Sequence, residues 1–271
     1  MRGGSGSAVR RGLLFSLLLV LLLCVLLPVY LMVRIAFADP GSYLNEGRFV
    51  FSAGNLVSVF TSGNIQGPLR KSLTVAFAVS LLSVLIAAPG AYAFARLPGK
   101  AGYVCVILIF FTRMVPEVGV ALPITVNFIR LGLFDTDAGL VLAHLVRALP
   151  LVTWILIGSF KAIPRDLEEA AYIDGCSRFQ AFLRVSLPLA KPGIVVGLIF
   201  GFLNSWDEFT YATYLTMQHK TLPLTVYYYV ERGGWFLSST YALVVTIPVL
   251  LFTYYFQKHL QSGFLAGAVK G

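Results

Sequence analysis

The sequence predicts an all-α integral membrane fold. Six transmembrane helices are expected, with a cytoplasmic loop of two short helices between the fourth and fifth. Three observations carry this expectation. Only 12% of the 271 residues are charged, about half of the roughly 25% usual in soluble domains. The mean hydropathy is +0.81. The apolar residues also gather in runs close to the roughly 20 residues that an α-helix needs to cross the hydrocarbon core.

The first span runs over about residues 13–33. Arg10 and Arg11 precede it and Ala36-Phe37-Ala38 follow it, a pattern that mimics a signal peptide with its cleavage site. The apolar run is too long for such a peptide and Arg34 interrupts before the small residues, so a retained anchor is expected. The other spans lie near residues 73–94, 103–123, 139–160, 193–215 and 241–256. Pro116 and Pro123 are expected to kink the third. Residues 38–69 and 216–240 then form the larger outer connections and residues 161–192 the larger inner one, within a single membrane domain.

The formal net charge of +9 invites a nucleic-acid partner. The basic residues sit beside apolar spans and not on one face, which excludes that class and points to topology in a bilayer. With the N-terminus inside, the inner side holds Arg2, Arg10, Arg11, Arg96, Lys100, Lys161, Arg165, Arg178, Arg184, Lys191, Lys258 and Lys270. The outer side holds only Arg48, Arg70, Lys71, Arg130, Lys220 and Arg232. Both termini are therefore placed in the cytoplasm of a multi-pass protein of the cell membrane. Cys24, Cys105 and Cys176 form no CxxC pair, and His144, His219 and His259 are scattered, so no metal site, disulfide or catalytic residue is assigned.

The inner connection mixes charge with apolar residues, unlike the rest of the chain. Pro164 suits a first helical turn, and Asp166, Glu168 and Glu169 supply the acidic bias of a helix N-terminus. Ala170 and Ala171 are strong helix formers, and Gly175 ends the helix as a C′ glycine does. Ser177 and Gln180 make a capping box for a second helix, with Phe179, Phe182, Leu183 and Val185 as its apolar stripe. Pro188 and Pro192 are expected to stop that helix before the fifth span. Spacing alone leaves two readings open: a compact projecting knob, or an amphipathic loop lying on the bilayer.

The whole pattern resembles a known one. Glu169-Ala170-Ala171, Gly175, Val185 and Leu187-Pro188 stand at the spacing of the EAA loop of ABC importer permeases, with Val185 where isoleucine is usual and Cys176 where alanine is common. "AYAFARLPGK" (Ala91–Lys100), "LGLFDTDAGLVL" (Leu131–Leu142), "NSWDEFTYA" (Asn204–Ala212) and "SGFLAGAVKG" (Ser262–Gly271) are similar to the carbohydrate-uptake branch related to the maltose-transporter permeases. The resemblance spans almost the whole chain from the first span onward. Asp207 stands where that branch usually has asparagine.

The resemblance implies one permease of a pair, favouring a heterodimer with a second permease subunit. It also implies two cytoplasmic ATPase subunits, an extracytoplasmic solute-binding protein and a sugar substrate. Without a G-x-x-x-x-G-K-[ST] phosphate loop in this sequence, Mg-ATP is expected in the partner ATPase and no cofactor in this chain. The residues implied to couple to the ATPase are Glu168, Glu169, Ala170, Ala171, Asp174, Gly175, Phe182 and Pro188. Loop 216–240 resembles the region where related permeases reach into the binding protein. Tyr227, Tyr228, Tyr229 and Trp235 are the residues offered there, with an interfacial aromatic belt as the alternative.

Charges within membrane-grade segments mark an aqueous path or a partner, because hydrocarbon excludes them. Asn204, Trp206, Asp207, Glu208 and Glu117 are the candidates for a substrate path, since hydrogen-bonding groups beside an aromatic plane suit a sugar. The structural alternative pairs Glu117 with Arg113 or Arg147 inside the bundle. Beyond a sugar importer, the same architecture moving a polyol or glycerol phosphate remains open. A secondary transporter or a membrane-embedded enzyme is disfavoured, the last because it needs a convergent His, Cys or carboxylate set.

Overall fold

The computed structural model describes the backbone of residues 4–62 and 64–268, and the side chains of residues 10–255 apart from 63 and 103. The side chains of Arg2, Lys258, Lys270 and the stretch Ser262–Gly271 lie outside the described residues. Among those described there is no strand, only an isolated antiparallel bridge between Ala38 and Phe51. Fourteen α-helices are described. In chain order they begin with α1 Gly4–Ala36, α2 Pro40–Asn45, α3 Gly54–Thr61, α4 Gln66–Arg96 and α5 Ala101–Phe111. Then come α6 Glu117–Arg130, α7 Asp137–Lys161, α8 Asp166–Ile173, α9 Arg178–Ala181 and α10 Leu187–Leu189. The last are α11 Lys191–Trp206, α12 Thr210–Leu215, α13 Leu222–Glu231 and α14 Trp235–Ala268.

Among the described residues, four helices are long and apolar enough to cross a membrane: α1, α4, α7 and α14. Two bent pairs bring the number to as many as six if each is one span: α5 with α6, and the segment Arg178–Leu189 with α11. The expected third and fifth spans are thus not simple rods. A 3₁₀ turn at Thr112–Met114 separates α5 from α6, which meet at 81°. Pro116 takes the N-cap of α6, so the break falls there. Pro123 lies within α6 and does not interrupt it.

The expected fifth span, residues 193–215, is divided between α11 and α12 at Asp207–Phe209. Pro188 and Pro192 flank a break, as expected. Arg178–Leu189 runs as one helix through Leu187–Leu189, ends at Ala190 and meets α11 at 76°. Pro192 occupies the first turn of α11, where a missing N–H costs nothing.

The chain divides into two compact units. One comprises residues 1–64 and 226–246. Within it Asn55 donates from Nδ2 to the carbonyls of Ala36 (3.1 Å) and Ala38 (2.8 Å), fastening α3 to the end of α1. Asp39 caps α2 by accepting from the Ser42 amide at 2.8 Å.

The other unit comprises residues 65–225 and 247–271, and its centre is the packing of α4, α7 and α11. Lipid removes most of the hydrophobic drive between such helices, so close approach through small residues holds them. Ser80 donates from Oγ to the Leu198 carbonyl at 2.6 Å, joining α4 to α11. A Cβ added at Gly201 would meet Ser83 Oγ at 2.7 Å, and one at Gly193 would meet Ser159 Cβ at 2.4 Å. At the end of the bundle that leads into residues 161–192, Ala88, Ala91 and Ala95 of α4 form one buried cluster with Leu156 and Phe160 of α7.

Gly193 therefore sets the α7–α11 distance. Gly193→Val is expected to lower stability by about 1–3 kcal/mol, the cost of overpacking. Gly158→Ala, where a Cβ meets nothing within 4 Å, is expected to be neutral. Thermal unfolding of the purified protein in detergent checks both.

Candidate functional site

The connection of residues 161–192 folds as two short helices meeting at a glycine. Gly175 has φ +87°, a left-handed backbone that side chains with a Cβ resist. Ser177 accepts from the Gln180 amide (3.3 Å) while its own amide donates to Gln180 Oε1 (2.8 Å), the complete capping box. The second helix then widens into a π turn over Phe182–Ser186.

The expected coupling residues separate into two sets. Glu169, Ala170, Asp174, Gly175 and Pro188 are exposed. Glu168, Ala171 and Phe182 are buried. Phe182 packs on Tyr92 and Phe160, with centroids 4.9 and 6.1 Å apart, so it anchors the loop and does not face outward.

Glu168 is the best-held side chain of the loop. It receives the Arg96 guanidinium through Nη2 at 2.6 Å and Nε at 3.0 Å, the Ser186 hydroxyl at 2.6 Å and the Tyr92 hydroxyl at 3.0 Å. Burial pushes this carboxyl up, but the bonds from Arg96, Ser186 and Tyr92 outweigh it and hold Glu168 below the usual glutamate range. The exposed tip carries Ile173 (86% exposed), Phe179 (69%) and Tyr172. Tyr172 and Ile173 are not among the residues expected from sequence, although an apolar pair just before a glycine in a polar loop is a visible signal.

The charges in the spans are also divided. Glu208 is fully buried. It accepts from the Tyr211 amide (2.7 Å) and the Ala212 amide (3.1 Å), capping α12, and lies 3.0 Å from His144 Nε2 on α7. The other His144 nitrogen, Nδ1, is 2.7 Å from Ser205 Oγ. A Ser–His–Glu set is thus brought together from distant positions. The His144 and Glu208 side chains are 1% and 0% exposed, so the set is sealed within the bundle and acts there as a structural brace.

Trp206 is likewise buried, stacked on Phe202 at 5.5 Å. Asp207, adjacent to both, is exposed. Glu117 pairs with Arg147 and not Arg113, Nε to Oε1 at 3.3 Å, and both remain partly exposed. Asn204 is half-buried.

At the other end of the same unit, Asp135 adopts φ +56° and accepts from the amides of Met217 (3.0 Å) and Gln218 (3.2 Å). Burial raises this carboxyl, while those two amides and Lys71 lower it further, leaving it below the usual aspartate range. Lys71 is 3.4 Å from Asp137, and Ser72 Oγ accepts from the Leu222 amide at 2.8 Å. These contacts pin the start of loop 216–240.

Of the aromatic residues expected in that loop, Tyr227 and Trp235 are exposed. Tyr228 lies under the Arg232 guanidinium at 3.7 Å, and Tyr229 stacks on Tyr241 at 5.0 Å. Among the described residues no cluster of His, Cys, Asp or Glu is suited to a metal ion.

Substitution separates the two adjacent acids. Glu208→Ala strands His144 and two amides and is expected to cost about 3–5 kcal/mol, as breaking a buried pair does. Asp207→Asn should stay within about 0.5 kcal/mol; chemical denaturation in detergent micelles compares them. For Glu168, a folded-state pKa below the ordinary value stabilises the loop at neutral pH, and that contribution is lost as pH falls through the carboxylate range. Amide protection over residues 166–190, taken relative to the intrinsic exchange rate at each pH, is expected to fall as pH drops through the carboxylate range, and less so in Glu168→Gln.

Comparison with known proteins agrees with this architecture. Residues 80–266 match the family described as binding-protein-dependent transport system inner membrane component. The trehalose transport system permease protein SugB of Mycobacterium tuberculosis is 33% identical over 86% of this chain and 88% of its own length. The trehalose/maltose transport system permease protein MalG of Thermococcus litoralis is 29% identical over 96% of each. A chain of a bacterial ABC transporter involved in import of the acidic polysaccharide alginate superposes with a TM-score of 0.75 at 20% identity, covering 95% of this chain and 99% of that one. With a family match over most of its length and the same helical fold, this chain belongs to the inner membrane components of binding-protein-dependent transport systems.

Proposed function

We propose that the chain is a permease subunit of an ATP-driven importer for a sugar or oligosaccharide, coupled through residues 161–192 to a separate ATPase. The observation that carries this is the exposed tip of the inner loop. Ile173, Phe179 and Tyr172 present apolar surface on a capped, glycine-jointed helix pair, a face suited to a protein partner. The named relatives that transport trehalose and maltose support the solute class.

Two such permeases, different from each other, two ATPases holding Mg-ATP and an external binding protein complete the assembly. Both termini lie in the cytoplasm. ATP closes the ATPase pair, the two inner loops move together and the attached helices rock, so that a central path opens alternately to each side. In this chain the path is lined by Glu117, Arg147, Asp207 and Asn204, whose carboxylates and amide accept from sugar hydroxyls and whose guanidinium donates to them. Glu208 and Trp206 support that lining from behind. Loop 216–240, with Tyr227 and Trp235 exposed, meets the binding protein.

The solute class is tested by calorimetry of the cognate binding protein against trehalose, maltose and diacetylchitobiose. Binding of none of them, with a non-saccharide bound instead, rejects a sugar importer. For the coupling loop, Gly175→Val forces a β-branched residue to φ +87°. It is expected to assemble and hydrolyse ATP while uptake into proteoliposomes falls roughly tenfold or more. Full uptake by that variant would remove Gly175 from the coupling mechanism.

A further inference from the structure

The end of α4 meets the coupling loop at one guanidinium. Arg96 is the last residue of α4, and besides its bonds to Glu168 it donates from Nη1 to the Phe160 carbonyl (3.0 Å) and from Nη2 to the Ile163 carbonyl (3.3 Å). Those carbonyls belong to the inner end of α7 and the turn after it. Glu168 belongs to α8, and Ser186, its other partner, to the π turn beyond α9. Arg165 in turn donates from Nη2 to the Arg96 carbonyl at 3.2 Å. One ion pair therefore ties four stretches of chain, and its side chains are only 15% and 5% exposed. Phe182, Tyr92 and Phe160 pack alongside it as an aromatic layer.

We propose that Arg96 is a positioning residue for transport: it locks the coupling loop to the inner ends of α4 and α7, making them one rigid lever. This rests on the importer reading and sharpens it. Glu169 and the apolar tip face the ATPase, whereas Glu168 faces inward and receives the motion. A hinge at this point would let the loop follow the ATPase while the helices stayed still. The planar fork of Arg96 prevents that, because it holds a carboxylate and two carbonyls in fixed directions at once. A lysine at the same position keeps the charge but satisfies these acceptors one at a time.

The test uses the complete transport complex in proteoliposomes, with radiolabelled trehalose and maltose as probes. Arg96→Lys is expected to retain assembly with the ATPase and binding-protein-stimulated hydrolysis. Its ratio of sugar imported to ATP hydrolysed should fall roughly tenfold, the factor that loss of a charge-assisted hydrogen bond gives. Lys100→Gln, an exposed charge nearby, is the control and should keep the wild-type ratio. If Arg96→Lys does not assemble, Tyr92→Phe and Ser186→Ala decide, since each removes one bond to Glu168 in the same space. A smaller fall in the same ratio is expected from them.

A wild-type ratio in the assembled Arg96 variant, or in both of these substitutes, overturns the proposal. If the wild-type complex imports neither probe, the choice of substrate is at fault, and the lever is judged by a measurement that needs no substrate. Spin labels at Ile173 and Ile86, in a cysteine-free background, should keep one narrow distance with and without nucleotide in the wild type and broaden in Arg96→Lys. A nucleotide-dependent distance in the wild type, or an unbroadened one in the variant, rejects the rigid lever.

Discussion

Close approach of α4, α7 and α11 is the constraint on which the rest of the second unit depends. In lipid, burying a leucine gains little over leaving it against an acyl chain, so the bundle is held by contact distance and by hydrogen bonds between helices. Gly193, Gly197 and Gly201 form one face of α11, four residues apart, and that face lies against Ser159, Val152 and Ser83 of its neighbours. Because the helices are already at contact distance, a shift at the inner end of one of them has nowhere to be absorbed. Tight packing and mechanical transmission are two descriptions of the same surface.

Polar groups in this bundle are placed under the same shortage of space. A break in a membrane helix exposes amides that lipid cannot satisfy. At Asp207–Phe209 the break is completed by Glu208, whose carboxylate takes two of those amides and is itself matched by His144. That charge is thereby satisfied inside the protein, and the neighbouring Asp207 is left at the surface. Two adjacent acids thus sit differently: one maintains the irregular backbone, and the other stays exposed beside it.

How much of this is legible in the sequence depends on the range of the interaction. Helices α1, α4, α7 and α14 are readable because length and hydropathy are local. The capping box at Ser177 and Gln180 and the glycine stop at Gly175 are readable for the same reason. The bends in the third and fifth spans are only partly so. Pro116 marks one break correctly, but Pro123 marks none, and the division at Asp207 is created by a side chain that pairs 64 residues away with His144. Burial of Glu168, Phe182 and Trp206 is likewise hidden, since each looks like a polar or aromatic residue on offer to a partner. Their partners, Arg96, Tyr92, Phe160 and Phe202, sit on other elements or one turn away, and composition does not rank such pairings.

The doublet Glu168-Glu169 shows helical geometry acting at its smallest scale. Successive residues on an α-helix point about 100° apart, so two identical letters enter two different environments, one sealed and one open. Written as a string, the doublet is redundant; in space it carries two separate instructions. Shortening it to a single glutamate would force a choice between the sealed position bonded to Arg96 and the exposed one. The value of a residue in this loop is therefore set by its phase on the helix and not by its identity alone.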